Sequence, residues 1–441
     1  MQESFQICAC RVRVGEVEWS GQGKETAQVI NQLRSGYYGW PMLFAVAIAQ
    51  ITSWGVLYYA FTVFLDPMQR EFGWSTATLT GAYSLALLVS GIAAVPVGRW
   101  LDRYGPRALM TAGSVLATLL VVGWATVDSL IVFYLVWIGI GLAMSAVLYE
   151  PAFVIVAQWF RRLRSRALTM LTVVAGFASV IYLPLAGWLV TSYDWRTALW
   201  IMAVLMAIGT VPIHAFVLRR SPADIGELPD GDPPAEESAE NDSAETPSRP
   251  TITLSDALRQ RVFWWTSAAF VLANFSTLAI FVHLVPYLIS EGFSSAFAAS
   301  MAGIAGIMAM PGRIIFTPLG EFIRRQYVAA IIFGLIALGL VILLVLDSRL
   351  GAIMFVVLFG MGFGAITPAR AAIIGDLYGA TNYGAINGAL ATGITFSRAA
   401  APVTAGLIVT VTGSYVPVFG LLLVMFVLAI VAVLRTVGKA T

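Results

Sequence analysis

The sequence is most specific at Gly98-Arg99-Trp100-Leu101-Asp102-Arg103-Tyr104-Gly105-Pro106-Arg107, a stretch that separates two long apolar segments. Each apolar segment is long enough to cross a bilayer, because about 20 residues of helix span the hydrocarbon core. The glycines and the proline allow the chain to reverse tightly without strain. The three arginines favour the cytoplasmic side of a membrane. The stretch therefore predicts a charged turn between two membrane-spanning helices.

The composition of the chain also indicates a membrane protein. Of its 441 residues, 59% are hydrophobic and only 11% are charged, whereas soluble domains average about 45–50% apolar and about 25% charged residues. The net charge of +2 is too small to indicate binding to nucleic acid. The two cysteines, Cys8 and Cys10, have no Cys/His cluster beside them, so we assign them no role.

The order of apolar and polar segments predicts two equal halves. Twelve apolar segments occur, and an acidic stretch with little apolar content separates the sixth from the seventh. Such a stretch cannot offset the entropy of ordering. We predict a disordered cytoplasmic extension over 1–37, a six-helix bundle over 38–219, an acidic disordered cytoplasmic linker over 220–255, a second six-helix bundle over 256–436 and a cytoplasmic tail over 437–441. Because the first 35 residues are polar and lack an apolar core, we expect no cleavable signal peptide there. The alternative to a disordered extension is a start codon placed too early.

The distribution of basic residues predicts the orientation. If both termini are cytoplasmic, twenty of the 26 Lys and Arg residues fall on the cytoplasmic side and three fall on the other side. This bias follows the positive-inside rule. The remaining three, Arg313, Arg370 and Arg398, lie inside predicted spans. We therefore expect a multi-pass protein of the cell membrane with both termini in the cytoplasm.

The two halves also repeat short motifs at a nearly constant offset. Pro96-Val97-Gly98 recurs as Pro318-Leu319-Gly320, and Glu150-Pro151-Ala152 recurs as Thr367-Pro368-Ala369. Internal duplication is typical of secondary transporters, whose halves rock about a site near the middle of the membrane. The repeats predict an all-α membrane protein built from two pseudo-symmetric six-helix bundles.

These motifs resemble those of a known family. The pattern Gly-x-x-x-Asp-Arg-x-Gly-x-Arg in residues 98–107 resembles the signature loop between helices 2 and 3 of the major facilitator superfamily. Residues 158–162 (Gln-Trp-Phe-Arg-Arg) and 311–313 (Pro-Gly-Arg) resemble the branch of monocarboxylate transporters and oxalate:formate antiporters. The animal members of that branch carry a lysine in span 1, which is absent here, and an aspartate where this chain has Ala309.

The resemblance implies the major facilitator fold and transport by alternating access. It also implies that the loop between spans 2 and 3 stabilises one conformer through contacts with helix ends across the two halves. The candidate gating residues of this loop are Gly98, Asp102, Arg103, Gly105 and Arg107.

Two arginines near the middle of spans 8 and 11 are candidate substrate ligands. Arg313 lies eleven residues before Arg324, which is about 16 Å along a helix, and Arg398 lies midway along span 11. A charge inside a membrane is unfavourable and is therefore a functional candidate by default. The arginine fork can bind a carboxylate through two parallel hydrogen bonds. The alternative is that each arginine pairs with a neighbouring carboxylate or helix carbonyl and only supports packing.

Glu150 is the one acidic residue deep in a predicted span, and it is the candidate for proton coupling. A carboxyl group in a low-dielectric environment is harder to ionise, so it can exchange a proton near neutral pH. The alternative is a fixed ion pair with Arg370 or Arg398. Arg370 lies about 9 Å along the helix from Asp376, so we expect it to act as a gate or as a snorkelling residue.

Three further side chains are weaker candidates for substrate binding. His283 lies in span 7 and could titrate or donate to a carboxylate, although a lone histidine in a helix is more often a packing residue. Tyr58 and Tyr59 form a polar aromatic pair in span 1, and spans 1 and 7 line the cavity in the superfamily. Membrane tyrosines are also common at interfaces and in cores.

Together these features predict a transporter and not an enzyme. The sequence has no paired catalytic carboxylates, metal-ligand spacing, phosphate loop or nucleophile motif, so we expect no catalytic residue, cofactor or metal. The expected substrate is a small organic anion, above all a monocarboxylate, moved by proton symport or anion exchange. The alternative is a proton-coupled efflux carrier for hydrophobic compounds. We expect a monomer in the lipid bilayer, with no nucleic-acid partner.

Overall fold

A computed structural model describes residues 36–232 and 252–437 of the chain. In these two ranges the regular secondary structure is helical, and twelve spans are long and apolar enough to cross a membrane. Most of the predicted amino-terminal extension with Cys8 and Cys10, the middle of the predicted linker and the last four residues lie outside the described residues.

Spans 1 to 6 form the first half, and several of them consist of two or three helical segments. Their bounds are Gly39–Trp54, Gly55–Tyr59 and Phe61–Phe72 for span 1, Thr76–Tyr104 for span 2, Pro106–Ala125 for span 3, Leu130–Val147 and Tyr149–Trp159 for span 4, Arg164–Ala175 and Phe177–Ser192 for span 5, and Trp195–Pro212 and Ile213–Val217 for span 6.

Spans 7 to 12 form the second half, and each is one continuous helix. Their bounds are Arg261–Ser290, Ser295–Leu319, Arg325–Val345, Arg349–Tyr378, Tyr383–Thr412 and Val416–Leu434. The division into six and six spans agrees with the number of apolar segments in the sequence.

Polar side chains cap the first turns of the even-numbered spans 2 to 10. Spans 2, 4, 8 and 10 begin after serines whose hydroxyls accept a main-chain N–H of the first turn, and Asp194 does the same for span 6. Such caps satisfy donors that the helix itself leaves without a partner. Because alternate spans run in opposite directions, the five caps mark one end of the bundle.

Residues 221–232 lie in the predicted disordered linker. They are instead ordered and pack against the first half. Asp230 is only 1% exposed, and its carboxylate accepts the main-chain N–H groups of residues 161–163. Glu227 accepts the main-chain N–H of Tyr38 at 3.3 Å. The prediction fails here because these hydrogen bonds offset the entropy of ordering, which composition alone does not reveal.

Tyr37 packs beside this segment at the start of span 1. Its hydroxyl donates to the Trp159 carbonyl oxygen at 2.7 Å. Burial, together with the negative charge of Asp230, raises the pKa of Tyr37. The hydroxyl therefore stays protonated and keeps its role as a donor.

The chain is also ordered where the predicted linker ends. Thr253 and Asp256 form reciprocal caps on the short helix Leu254–Arg259, and hydrogen bonds from Thr253 lower the pKa of Asp256. Asn382, between spans 10 and 11, donates to the Ile252 carbonyl oxygen at 2.8 Å. We call the end of the bundle that carries residues 218–232, residues 252–259 and Asn382 the linker side.

Candidate functional site

The two halves meet closely where span 2 ends beside the start of span 11. The Asp102 carboxylate accepts the main-chain N–H groups of Gly384 and Ala385, each at 2.8 Å. These donors belong to the first turn of a helix, where negative charge is favourable. A Cβ on Gly98 would lie 2.0 Å from the Gly384 carbonyl oxygen, so the approach requires glycine. This contact closes the linker side between the two halves.

The other candidate residues of the loop make their contacts within the first half. Arg107 donates from Nε to the Ala215 carbonyl oxygen at 2.7 Å, and the Arg103 guanidinium lies 5.1 Å from the centre of the Tyr104 ring. Gly105 ends span 2 with a φ of +80°, a conformation that favours glycine. These three residues shape the turn, and the contact with the second half comes from elsewhere in the loop.

Ion pairs form a second layer between the halves on the linker side. Arg164 lies 3.7 Å from Asp376, and Arg166 lies 3.9 Å from Glu321. Arg325 binds the same Asp376 at 2.7 Å. The charge distribution in the sequence places the three arginines on the cytoplasmic side but does not indicate which carboxylates they bind. The layer joins span 5 to spans 8, 9 and 10.

Glu150 lies deeper and also joins the halves. Its Oε1 accepts a hydrogen bond from Arg370 Nη2 at 2.8 Å, and its Oε2 accepts one from Asn387 Nδ2. The Arg370 side chain is 6% exposed and that of Glu150 is 27% exposed. Of the two interpretations of Glu150, this conformation corresponds to the ion pair with Arg370.

Span 4 is interrupted directly before Glu150. Leu148 leaves the helical conformation, with φ −83° and ψ −155°, and a second helix starts at the next residue. The fully buried Gln50 of span 1 donates from Nε2 to the carbonyl oxygens of Val147 and Leu148 at 2.7 and 3.3 Å. Gln50 was not predicted as a site residue, because an uncharged amide in an apolar span does not by itself indicate a function. The available signal was Pro151, which cannot donate to the carbonyl four residues earlier.

The two candidate substrate arginines both donate to neutral oxygens. Arg313 donates from Nε to the Gly364 carbonyl at 3.2 Å and from Nη1 to the Thr172 carbonyl at 2.6 Å. Arg398 donates from Nε and Nη2 to the Asn274 Oδ1, at 3.1 and 2.7 Å. Helix carbonyls therefore do hold Arg313, as the alternative interpretation expects. Since all these acceptors are uncharged, they neutralise neither guanidinium.

Aromatic side chains from spans 1, 2 and 4 lie beside these arginines. The Trp54 ring lies 5.1 Å from that of Tyr58 and 4.9 Å from that of Tyr149. The Tyr58 ring lies 5.2 Å from Tyr59 and 5.7 Å from Tyr83. Both candidate arginines are close enough to Tyr59 to interact with it electrostatically. The structure thus brings the two predicted tyrosines of the first half together with the two predicted cations of the second.

His283 has different neighbours. Its Nε2 lies 3.1 Å from the Pro402 carbonyl oxygen, and its ring lies 5.8 Å from that of Tyr415, just before span 12. The contacts of His283 are therefore with spans 11 and 12 inside the second half. The hydrogen bonds of Arg313 and Arg398 do not include it.

Comparison with known sequences identifies relatives of this chain. The sequence profile of the Major Facilitator Superfamily matches residues 42–402. Monocarboxylate transporter 13 from Bos taurus is 26% identical over 352 residues, which are 78% of this chain and 76% of that protein. The oxalate:formate antiporter from Oxalobacter formigenes is 24% identical over 348 residues, which are 77% of this chain and 78% of that protein.

Solved structures share the fold. FucP, a transporter of this superfamily in the outward conformation, matches with a TM-score of 0.69 over 89% of this chain and 98% of its own, at 16% identity. A bacterial homologue of the iron transporter ferroportin in an outward-facing state matches with a TM-score of 0.70 over 90% of this chain and 99% of its own, at 14% identity. With twelve apolar spans and a profile match over most of its length, the chain is a multi-pass membrane protein that belongs to the Major Facilitator Superfamily.

Proposed function

We propose that the protein is a secondary active transporter that carries a small organic anion, above all a monocarboxylate, across the cell membrane by alternating access. The observation that carries the proposal is the pair Arg313 and Arg398, two cations on spans 8 and 11 whose hydrogen-bond acceptors are uncharged. A charge inside a membrane is stabilised by an opposite charge, so the pair favours an anionic ligand over a neutral one. The similarity to monocarboxylate transporters and an oxalate:formate antiporter supports the same class.

The surroundings of the two arginines favour a small acid. A guanidinium binds a carboxylate through two parallel hydrogen bonds, and the rings of Trp54, Tyr58, Tyr59 and Tyr149 form an aromatic wall nearby. A sugar would need hydrogen-bond partners for each buried hydroxyl. A partly apolar acid satisfies both the cations and the aromatic wall. His283 is at most an outer contact of this site, since it bonds to span 11.

The proposal also gives the described conformation a place in the transport cycle. If the linker side is the cytoplasmic side, as the basic residues suggest, the Asp102 contact and the ion pairs with Asp376 and Glu321 close the cytoplasmic entrance. The described conformation would then be closed toward the cytoplasm. Two solved structures of the same fold are in outward or outward-facing states.

Glu150 and Arg370 are the proposed coupling pair. In the closed arrangement Arg370 and Asn387 both bind the Glu150 carboxylate. We propose that Glu150 accepts a proton only when the halves separate on the linker side and Arg370 moves away. A protonated Glu150 would give proton symport, and a carboxylate that stays paired would give anion exchange. The protein would do this as a monomer.

One observation favours a second candidate function, the proton-coupled efflux of hydrophobic compounds. The aromatic wall around Tyr58 could also bind an apolar ligand, because aromatic rings bury large apolar areas. The two functions differ in what the arginines do. An efflux carrier for neutral compounds would not depend on Arg313.

The test is uptake into proteoliposomes, with a panel of small carboxylates and hydrophobic compounds and with and without a pH gradient. Arg313→Gln should abolish carboxylate binding, and Arg313→Lys should weaken it about 10- to 100-fold, because the charge stays but the two-pronged hydrogen bond is lost. The control is Arg349→Gln, since Arg349 is exposed and lies over Phe297 at the start of span 8. Normal carboxylate transport by Arg313→Gln, or competition by neutral or cationic compounds alone, would contradict the proposal.

A further inference from the structure

Prolines occur in spans 4 and 10 at matching positions of the internal repeat. Pro151 follows Glu150 in span 4, and Pro368 follows Thr367 in span 10. A proline has no N–H, so the carbonyl four residues earlier in the helix loses its donor. The carbonyls that lose their donors are those of Val147 and Gly364. A main-chain carbonyl without a partner is unfavourable inside a membrane protein.

In both halves a side chain from another span binds that carbonyl. Gln50 of span 1 donates to the Val147 carbonyl at 2.7 Å. Arg313 of span 8 donates to the Gly364 carbonyl at 3.2 Å. The same arrangement therefore occurs at both matching positions of the repeat.

The two sites differ in the donor. Gln50 is fully buried and neutral, and it also reaches the Leu148 carbonyl, so its amide bridges the break in span 4. Arg313 is charged, and its other edge crosses to the Thr172 carbonyl of span 5. The first site therefore belongs to one half, whereas the second joins both halves.

The residues next to these prolines contact each other between the two halves. Glu150 directly precedes Pro151, and Arg370 follows Pro368 by two residues. The direction in which Glu150 leaves span 4 depends on how the chain bends at Leu148. We propose that Gln50 is a positioning residue, which holds the break in span 4 in one geometry and so directs the Glu150 carboxylate to Arg370 and Asn387.

The proposal predicts a specific rescue. Gln50→Leu removes the donor, so it should lower the Tm in detergent by about 2–8 °C because a buried carbonyl loses its partner. Adding Pro151→Ala supplies a main-chain N–H four residues after Val147, and this N–H binds the Val147 carbonyl once span 4 runs through Leu148 as one continuous helix. The double variant Gln50→Leu/Pro151→Ala should therefore regain most of the lost Tm. A matched control is Ser53→Ala, three residues after Gln50, since this equally buried hydroxyl has no hydrogen-bond partner in the described part of the chain.

A second measurement reports on the halves and requires no substrate. Arg99 and Thr381 line one cavity of about 430 Å³ on the linker side, and they come from opposite halves. In a chain with Cys8→Ser and Cys10→Ser, a short bismaleimide can join the cysteines of Arg99→Cys and Thr381→Cys. A protease site inserted within residues 233–251 then separates the two halves of molecules that are not cross-linked, so the cross-linked fraction can be measured on a gel. Gln50→Leu should reduce the cross-linked fraction, because Glu150 no longer holds Arg370. Pro151→Ala should not restore it, because a helix that is continuous through Leu148 no longer directs Glu150 to Arg370.

Two results would overturn the proposal. In one, Gln50→Leu has the Tm and the cross-linked fraction of the unchanged chain. In the other, the Tm of the double variant is as low as that of Gln50→Leu, which would mean that Gln50 acts through packing alone. If Gln50→Leu does not fold, expression of the double variant replaces the Tm measurement. Recovery of folded protein in the double variant would support the proposal, and no recovery would contradict it. Because neither measurement uses a ligand, these results do not depend on the proposed carboxylate substrate.

Discussion

The environment of a single residue decides what Glu150 can do. Its carboxylate binds Arg370, whose side chain is almost fully buried, and Asn387 on a third span. Removing one partner of a buried ion pair leaves the other charge uncompensated, which typically costs about 3–5 kcal/mol. Glu150 therefore contributes to stability in this conformation, whatever proton it carries at another point of the cycle.

We predict that Glu150→Gln abolishes uptake driven by a pH gradient while substrate exchange, which needs no net proton movement, continues. The same variant should lower the Tm, because Arg370 keeps its charge without a carboxylate partner. The control is Glu150→Gln/Arg370→Gln, which has no lone charge and should be more stable than the single variant. Loss of exchange in step with net uptake, in a protein that the second change does not stabilise, would count against a proton-carrying role.

The sequence predicts where these residues lie along their spans, and it offers the Glu150–Arg370 pair only as one of two interpretations. Arg313, Arg398 and Glu150 lie deep in spans, as the distance to the nearest polar end indicates. Their partners come from other spans, and a rise of about 1.5 Å per residue contains no information on how spans pack. Gln50 was overlooked for the same reason, although Pro151 marks the carbonyl that it binds.

At the scale of elements, the contact between the end of span 2 and the start of span 11 determines the closed linker side. Asp102 binds two main-chain N–H groups of span 11, and this part of the loop was predicted to cross between the halves. Arg103, Gly105 and Arg107 of the same loop are predicted as gating residues too. Their contacts within the first half follow from the turn geometry around Gly105, which a motif does not specify.

We predict that Asp102→Asn impairs transport while expression and membrane insertion stay normal. The amide keeps the shape of the side chain but loses the charge, and its NH₂ group cannot accept a second main-chain N–H. Cross-linking between Arg99→Cys and Thr381→Cys should fall in this variant. Asp66→Asn is a suitable control, because Asp66 is exposed and its ion-pair partner in the described part of the chain is Arg70, at the far end of span 1. Unchanged transport rates in Asp102→Asn would exclude the gating role.

At the scale of the whole molecule, the pattern of twelve spans and two halves was readable because membrane helices leave long apolar segments in a sequence. The linker was predicted less well. Its composition indicates disorder throughout, yet residues 221–232 bind the first half through Asp230 and Glu227. Composition averages over a segment, whereas a few well-placed carboxylates are enough to order it.

We predict that Asp230→Ala lowers the Tm of the whole chain without changing the transport rate per folded molecule. The buried carboxylate accepts three main-chain N–H groups within the first half, and leaving such donors without a partner costs about 1–3 kcal/mol each. Asp232→Ala is the comparison, since the partly exposed ion pair of Asp232 with Arg162 should contribute only about 0–1 kcal/mol. Equal Tm values for the two variants would contradict this account, as would a slower transport cycle in folded Asp230→Ala.

The close approach of Gly98 to Gly384 has a consequence for the kinetics of the transport cycle. Because both residues lack a side chain, no rotamers are frozen when the two main chains meet, so closing this contact loses no side-chain entropy there. Its attraction comes from close-range dispersion, which falls steeply within an ångström of separation. Because Asp102 accepts the N–H of the same Gly384, this close contact and the Asp102 hydrogen bonds must break together when the linker side opens.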